Sequence, residues 1–138
     1  MLHQDYLVRM FMQLAAAMRD SLMKTKGQDD PEAAADLIEA SLLNATEVDG
    51  SLLFRMAPES MVSLLQISGT DPTLIQYLAR SLLLQSQYLA QANLTERSDL
   101  RKNQAFALAH AYGFELSEQN VSPEELEAFF QQTLSQAE

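Results

Sequence analysis

Residues 71–79 read Asp-Pro-Thr-Leu-Ile-Gln-Tyr-Leu-Ala and begin the longest apolar run of the chain, which extends to about residue 92. Proline suits the first position of a helix because its φ is already helical and its missing N–H would have no partner there. Asp71, just before it, is a residue that caps helices well. Apolar side chains then recur at helical spacing: Ile75, Leu78, Ala79, Leu82, Leu83, Leu89 and Ala90. The stretch therefore predicts a long helix with a broad apolar face.

The same start signal recurs along the chain, at Pro31, Pro58 and Pro123. Glycines, which favour helix ends, fall in the gaps between the apolar stretches, at positions 27, 50, 69 and 113. No stretch shows the sustained apolar–polar alternation of a strand. The sequence thus predicts an all-α protein, an antiparallel bundle or array of about six to seven helices.

The apolar spacing sets the expected helix bounds. A first helix over about 5–24 carries the stripe Leu7, Phe11, Leu14, Met18 and Leu22. The other expected helices cover Pro31 to near Val48, a short turn at 52–54, 58–69, 72–92 and 95–112. Because the link at 93–94 is short, the last two should form an antiparallel hairpin.

The end of the chain predicts one more amphipathic helix. Ser122 is expected to cap it, in a capping box with Glu125, and Val121 and Leu126 are placed to form a hydrophobic staple. Its apolar stripe has to be buried, either on this chain or on another: Leu126, Phe129, Phe130, Thr133 and Leu134. We expect one helical domain over 1–138, with a core at 1–113 and a linker plus this helix at 114–138.

The chain is strongly acidic, with a net charge of −10 over 138 residues. Phosphate backbones would repel such a surface, so a nucleic-acid partner is not expected. Residues 1–26 carry four bases and two acids, and residues 55–102 carry five bases and four acids, whereas 27–54 and 103–138 carry seven and six acids and no base. These segments are either four solvated faces of different sign, or the acidic segments dock beside the basic ones.

The missing targeting signals and catalytic motifs exclude further classes of function. The first residues lack the pattern of a signal peptide, no apolar run is long enough to span a membrane, and cysteine is absent, so we expect a cytoplasmic protein without a membrane partner. The histidines are His3 and His110, and no nucleophile, phosphate-loop or metal motif is present. We therefore expect no enzyme activity, no cofactor and no metal.

Two interpretations of the function remain open. In the first, the chain is an interaction or structural module that binds a protein partner or itself. Its first helix is apolar on more than one face, which suggests a self-association surface formed by Tyr6, Val8, Met10 and Met12. In the second, a small molecule binds between helices in a pocket lined by Tyr77, Tyr88, His110 and Tyr112, since aromatic side chains with polar tips suit mixed pockets.

Several stretches together resemble an uncharacterised bacterial family of short all-helical proteins whose later half is similar to a tetratricopeptide helix pair. The resemblance covers roughly residues 1–113 and is carried by Gln4-Asp5-Tyr6-Leu7-Val8-Arg9-Met10, by residues 52–65, by Asp71-Pro72 and by Lys102-Asn103-Gln104-Ala105-Phe106-Ala107-Leu108. It implies a helical fold with tetratricopeptide-like hairpins in the later part and a bacterial cytoplasmic setting. It implies no activity and no functional residue.

Overall fold

The computed structural model describes residues 2–27, 29–46 and 48–137, and side chains over 5–27, 29–46 and 48–136. Over these residues the chain forms seven α-helices and one short 3-10 helix, and it contains no strand. The helices are α1 (Leu2–Gly27), α2 (Pro31–Leu43), α3 (Gly50–Leu53), α4 (Pro58–Ile67), α5 (Pro72–Gln91), α6 (Thr95–Tyr112) and α7 (Pro123–Ala137), with the 3-10 helix at Glu118–Val121. The expected all-α class is confirmed.

Three of the predicted helix starts are capped by the expected side chains. Asp71 Oδ1 accepts hydrogen bonds from the N–H groups of Thr73 and Leu74, at 2.8 and 3.2 Å. Asp30 Oδ1 accepts from Ala33 at 3.0 Å, and Ser122 Oγ accepts from the Glu125 N–H at 3.3 Å. These bonds satisfy N–H groups that the first turn of a helix leaves without a partner.

Helix α5 lies at the centre of the fold and contacts α1, α2 and α6. Helix α6 packs antiparallel to it, since Ser98 Oγ donates to the Ser86 carbonyl at 2.7 Å across the hairpin. The residue that reverses the chain between them is Asn93, whose φ is +63°. Asparagine tolerates this left-handed conformation better than most residues.

Two helix boundaries differ from those predicted. Helix α2 ends at Leu43 rather than near Val48, and Gly50 begins α3 instead of ending a helix. A Cβ on Gly50 would lie 2.6 Å from the Leu43 Cα and carbonyl oxygen, so the glycine allows the backbones of α2 and α3 to touch. Ala90, assigned to the apolar face of α5, is exposed.

Helix α7 packs on its own chain, against α1. Its side chains Leu126, Phe129 and Phe130 are buried and join the same continuous core as the other helices. Phe11, Tyr77, Phe129 and Phe130 form an aromatic clamp, in which the Tyr77 ring stacks on Phe11 at 4.8 Å between ring centres and on Phe130 at 5.8 Å. The apolar stripe of the last helix, which the sequence left to be buried on this chain or on another, is therefore buried on this chain.

The acidic segments of the chain lie beside the more basic ones, which was the second of the two interpretations of the charge pattern. Arg19 of the basic first segment pairs with Glu127 of the acidic last one at 2.5 Å, and Arg101 of the third pairs with Glu39 of the second at 2.9 Å. Among the described residues, no helix has both the length and the apolar character needed to cross a membrane.

Candidate functional site

The outer face of α4 carries an open apolar groove of about 430 Å³. Its lining is Met56, Glu59, Ser60, Ser63, Leu64 and Ile67. Positions 60, 63, 64 and 67 follow the spacing of one helical face, and Ile67 is 83% exposed. Leu52 of α3, which is not part of this lining, is also 57% exposed.

The opposite face of α4 is buried against α6, through Met61, Val62 and Leu65. The fold therefore covers one apolar face of α4 and leaves Leu64 partly and Ile67 largely exposed on the other face, beside polar side chains.

A polar clamp formed by Glu39, Gln85, Arg101 and Gln104 holds the backbone next to this groove. Gln104 Nε2 donates to the carbonyls of Phe54 and Met56, at 3.1 and 3.0 Å. Arg101 Nη1 also donates to the Phe54 carbonyl. The link between α3 and α4, with the groove residue Met56, is thus fixed by side chains of α6.

The same clamp contains a charge pair that is largely removed from water. Arg101 Nη2 donates to both oxygens of Glu39, at 2.9 and 3.2 Å, and Gln85 Nε2 donates to Glu39 Oε1 at 2.8 Å. Burial alone would raise the pKa of Glu39, but the hydrogen bond from Gln85 and the charge of Arg101 outweigh it, so that the pKa lies below its ordinary value. The carboxylate is held ionised and acts as an anchor between α2, α5 and α6.

A second concave feature is a smaller cavity of about 170 Å³ between α1, the loop after α2 and the loop before α5. Apolar walls come from Tyr6, Leu7, Val48 and Leu74, and the polar part of the lining is Thr46, Ser68, Gly69, Thr70 and Asp71. Its lining mixes polar and apolar side chains, as in small-molecule sites.

The four residues of the predicted pocket are spread over separate environments. Tyr77 and Tyr88 lie eleven residues apart on α5, about 16 Å along the helix axis. The Tyr77 hydroxyl bonds Thr133 Oγ1 at 2.6 Å inside the aromatic clamp, whereas the Tyr88 hydroxyl bonds Ser21 Oγ at 2.9 Å. Burial raises the pKa of both phenols. His110 is exposed on α6, and Tyr112 is half-buried against the core.

The four residues of the predicted self-association surface also differ in exposure. Met10 is buried in the core of its own chain, Tyr6 and Val8 are half-buried, and Met12 is 56% exposed. Tyr6 lines the cavity described above. Of the four, Met12 alone presents most of its side chain to solvent.

The residues predicted for functional sites did not include Met56, Leu64 or Ile67, and Leu64 also packs partly against the core. A signal was present, since the spacing of residues 60, 63, 64 and 67 is helical, but serines at 60 and 63 hide it from a search for apolar residues. The cavity leaves no comparable signal, because its walls come from three distant parts of the chain.

Metal-ligating side chains do not gather in groups of three or more anywhere in the part of the chain that the structure describes. The side chain of His3 lies outside the described residues. Comparison of the chain with protein-family models, curated proteins and solved structures found no match.

Proposed function

We propose that this protein is a non-catalytic interaction module in which the outer face of α4 pairs with the same face of a second copy. The observation that supports this most is the exposure of Ile67, at 83%, in the lining of an open apolar groove. Apolar area that leaves water on pairing contributes about 25 cal/mol per Å² before the costs of association are subtracted.

The small residues of the groove suit a helix as the occupant. Ser60 and Ser63 have short side chains, so a second helix can approach closely between Met56, Leu64 and Ile67. Helix α4 of a second copy brings matching apolar side chains and the same short serines.

The charges beside the groove favour a second copy over an unrelated acidic helix. Arg55 and Glu59 are both exposed near the start of α4. In a two-fold interface, residue i of one copy meets residue j of the other, and j meets i. Arg55 can then pair with Glu59 of the other copy twice, whereas the net charges of −10 repel at long range. Because salt screens that repulsion, we expect pairing to strengthen at higher ionic strength.

Sedimentation velocity at concentrations up to several hundred micromolar tests the proposal. The unmodified chain should form dimers, and Ile67→Glu should be monomeric because it replaces the most exposed apolar side chain of the pairing face with a charge. Met23→Glu changes a methionine that is 70% exposed on α1 and serves as the matched control. A monomer at all concentrations and salt levels would contradict the self-pairing.

Met12→Glu tests the surface predicted from the sequence on α1. If pairing uses α4, this variant should dimerise like the unmodified chain. If Met12→Glu is monomeric while Ile67→Glu is dimeric, the α1 surface is the correct one and the α4 proposal is wrong.

The remaining expectations stay proposals. The non-catalytic character rests on the lack of nucleophile, phosphate-loop and metal motifs in the sequence. The resemblance to a bacterial helical family with a tetratricopeptide-like helix pair, and the cytoplasmic location expected from a cysteine-free chain, stay predictions. The ligand-binding alternative no longer depends on Tyr77, Tyr88, His110 and Tyr112, and the cavity beside Asp71 is the place to test it.

A further inference from the structure

In the cavity of about 170 Å³ between α1 and the start of α5, two hydroxyl groups of the wall already donate to backbone carbonyls. The Ser68 hydroxyl donates its hydrogen to the Leu64 carbonyl at 2.8 Å, and the Thr46 hydroxyl donates to the Val48 carbonyl at 3.0 Å. Both oxygens keep lone pairs for a ligand, but their hydrogens are already used.

Three backbone N–H groups of the segment between α4 and α5 are also engaged within the chain. Those of Ser68, Gly69 and Thr70 donate back into α4, to the carbonyls of Leu64, Gln66 and Leu65, at 2.9, 3.1 and 3.2 Å. The N–H groups of Thr73 and Leu74, at the start of α5, are taken by Asp71 Oδ1. An anion would find these donors occupied, so the usual reason for phosphate binding at a helix start does not apply here.

The formal charge in the lining is the carboxylate of Asp71. Its second oxygen, Oδ2, can accept from a ligand while Oδ1 caps α5. The helix dipole contributes about half a positive charge at this end, which one full negative charge outweighs. The field of the whole molecule adds to the preference, because a net charge of −10 concentrates cations at its surface.

The remaining walls fit a small organic body. Tyr6 offers an aromatic ring, and Leu7, Val48 and Leu74 offer aliphatic surface. Aromatic faces attract ammonium groups, which adds to the preference set by Asp71. An apolar cavity of about 150 Å³ holds benzene, so the volume of this cavity suits a ligand of that size.

We propose that this cavity binds a small organic ammonium ion, with the Asp71 carboxylate as its counter-ion and the Tyr6 ring against its apolar part. The site goes beyond the proposed pairing function and uses other residues.

The test uses benzylammonium as the probe, followed by amide NMR of the full chain. Benzyl alcohol has the same number of non-hydrogen atoms without the charge, and benzoate reverses the charge. Benzylammonium should shift the amides of residues 68–71 saturably, benzyl alcohol should bind about tenfold more weakly, and benzoate should not bind.

Charge-removing variants distinguish specific binding of benzylammonium at Asp71 from the general attraction of a cation to an acidic protein. Asp71→Asn removes the charge but keeps a side chain that caps as well as aspartate, so the fold should be retained while affinity falls about tenfold. Asp36→Asn removes an equal charge from an exposed position on α2 and should leave the affinity unchanged. Tyr6→Leu should weaken binding several-fold with the charge in place.

The proposal is overturned if benzylammonium causes no saturable shift at residues 68–71. Equal binding of benzyl alcohol, or equal loss in Asp36→Asn and Asp71→Asn, would also overturn it, because then neither the ammonium group nor Asp71 selects the ligand.

Discussion

The aromatic clamp and the polar clamp hold other helices to the first and the second half of α5 through different interactions. In the aromatic clamp, Tyr77 contacts Phe11, Phe129 and Phe130 mainly through area and ring stacking. In the polar clamp, Gln85 and its partners act through directed hydrogen bonds and one buried charge pair. The aromatic clamp should tolerate small displacements, whereas the polar clamp depends on every partner being present.

The two ion pairs of these regions sharpen the contrast. Arg101 and Glu39 leave 9% and 31% of their side chains exposed, whereas Arg19 and Glu127 leave 45% and 46%. Water screens the second pair far more than the first. The Arg101–Glu39 pair should therefore stabilise the fold more than the Arg19–Glu127 pair does.

The largest expected loss of stability comes from removing an aromatic ring of the aromatic clamp. Phe130→Ala removes a fully buried ring that α7 uses to pack on α1 and α5, and we expect a loss of about 3–5 kcal/mol in the free energy of unfolding. Urea unfolding followed by circular dichroism measures it. The exposed neighbour Gln131→Ala is the control and should change stability by less than about 0.5 kcal/mol. Equal losses in both variants would show that α7 does not depend on this ring.

Removing one partner of the polar clamp should cost nearly as much. Arg101→Met leaves the partly buried Glu39 carboxylate without its cation and removes one of the two side-chain hydrogen bonds to the Phe54 carbonyl, and we expect a loss of about 3 kcal/mol. The exposed neighbour Lys102→Met should have little effect.

The double variant Glu39→Leu/Arg101→Met distinguishes an unpaired charge from lost packing. Because it removes both charges, it should be more stable than Arg101→Met alone in the same urea experiment. If the two losses simply add, the carboxylate and the guanidinium do not interact as the geometry indicates.

Acid should weaken the polar clamp through Glu39. A carboxyl group whose pKa is lowered by folding stabilises the protein above its unfolded pKa, and that contribution is lost as the pH falls through the folded pKa. The stability difference between the unmodified chain and Glu39→Gln should therefore shrink from neutral pH to pH about 3. Urea unfolding at a series of pH values measures it, and a difference that does not change with pH would contradict the role of this charge.

The smallest expected effect is that of the exposed pair. A double-mutant cycle with Arg19→Met and Glu127→Gln should give a coupling of about 0.2–1 kcal/mol at low salt, which falls as salt is added. Arg19 also lies 4.9 Å from the centre of the Phe130 ring, and a cycle isolates the ion pair from that contact. A coupling as large as that of Arg101 with Glu39 would mean that burial does not set the strength of these pairs.

Much of the fold was predictable because its signals are local. The caps at Asp30, Asp71 and Ser122 and the bounds of α6 at Thr95 and Tyr112 follow from residues within one or two turns. The end of α2 was missed because the contact of Gly50 with Leu43 depends on how two helices meet. The left-handed turn at Asn93 was missed because asparagine is also common in ordinary caps.

The candidate site was less predictable than the fold. The aromatic residues Tyr77 and Tyr88 were expected in a pocket and are packing groups in the structure, since a phenol in the core looks the same in sequence as one in a cleft. Met10 was expected at a surface and is buried, because an apolar helix does not show in its sequence which of its faces a neighbour will cover.

The sequence by itself determined where most of the helices begin, most of the apolar stripes that they bury and that the chain is acidic, because capping and apolar spacing act between near neighbours. Only the tertiary structure decided that Arg101 meets Glu39, 62 residues away, that Tyr6 and Asp71 line one cavity and that the outer face of α4 stays open. Those outcomes depend on the angles and distances between packed helices, which many sequence patterns allow and one set of interlocking side chains selects.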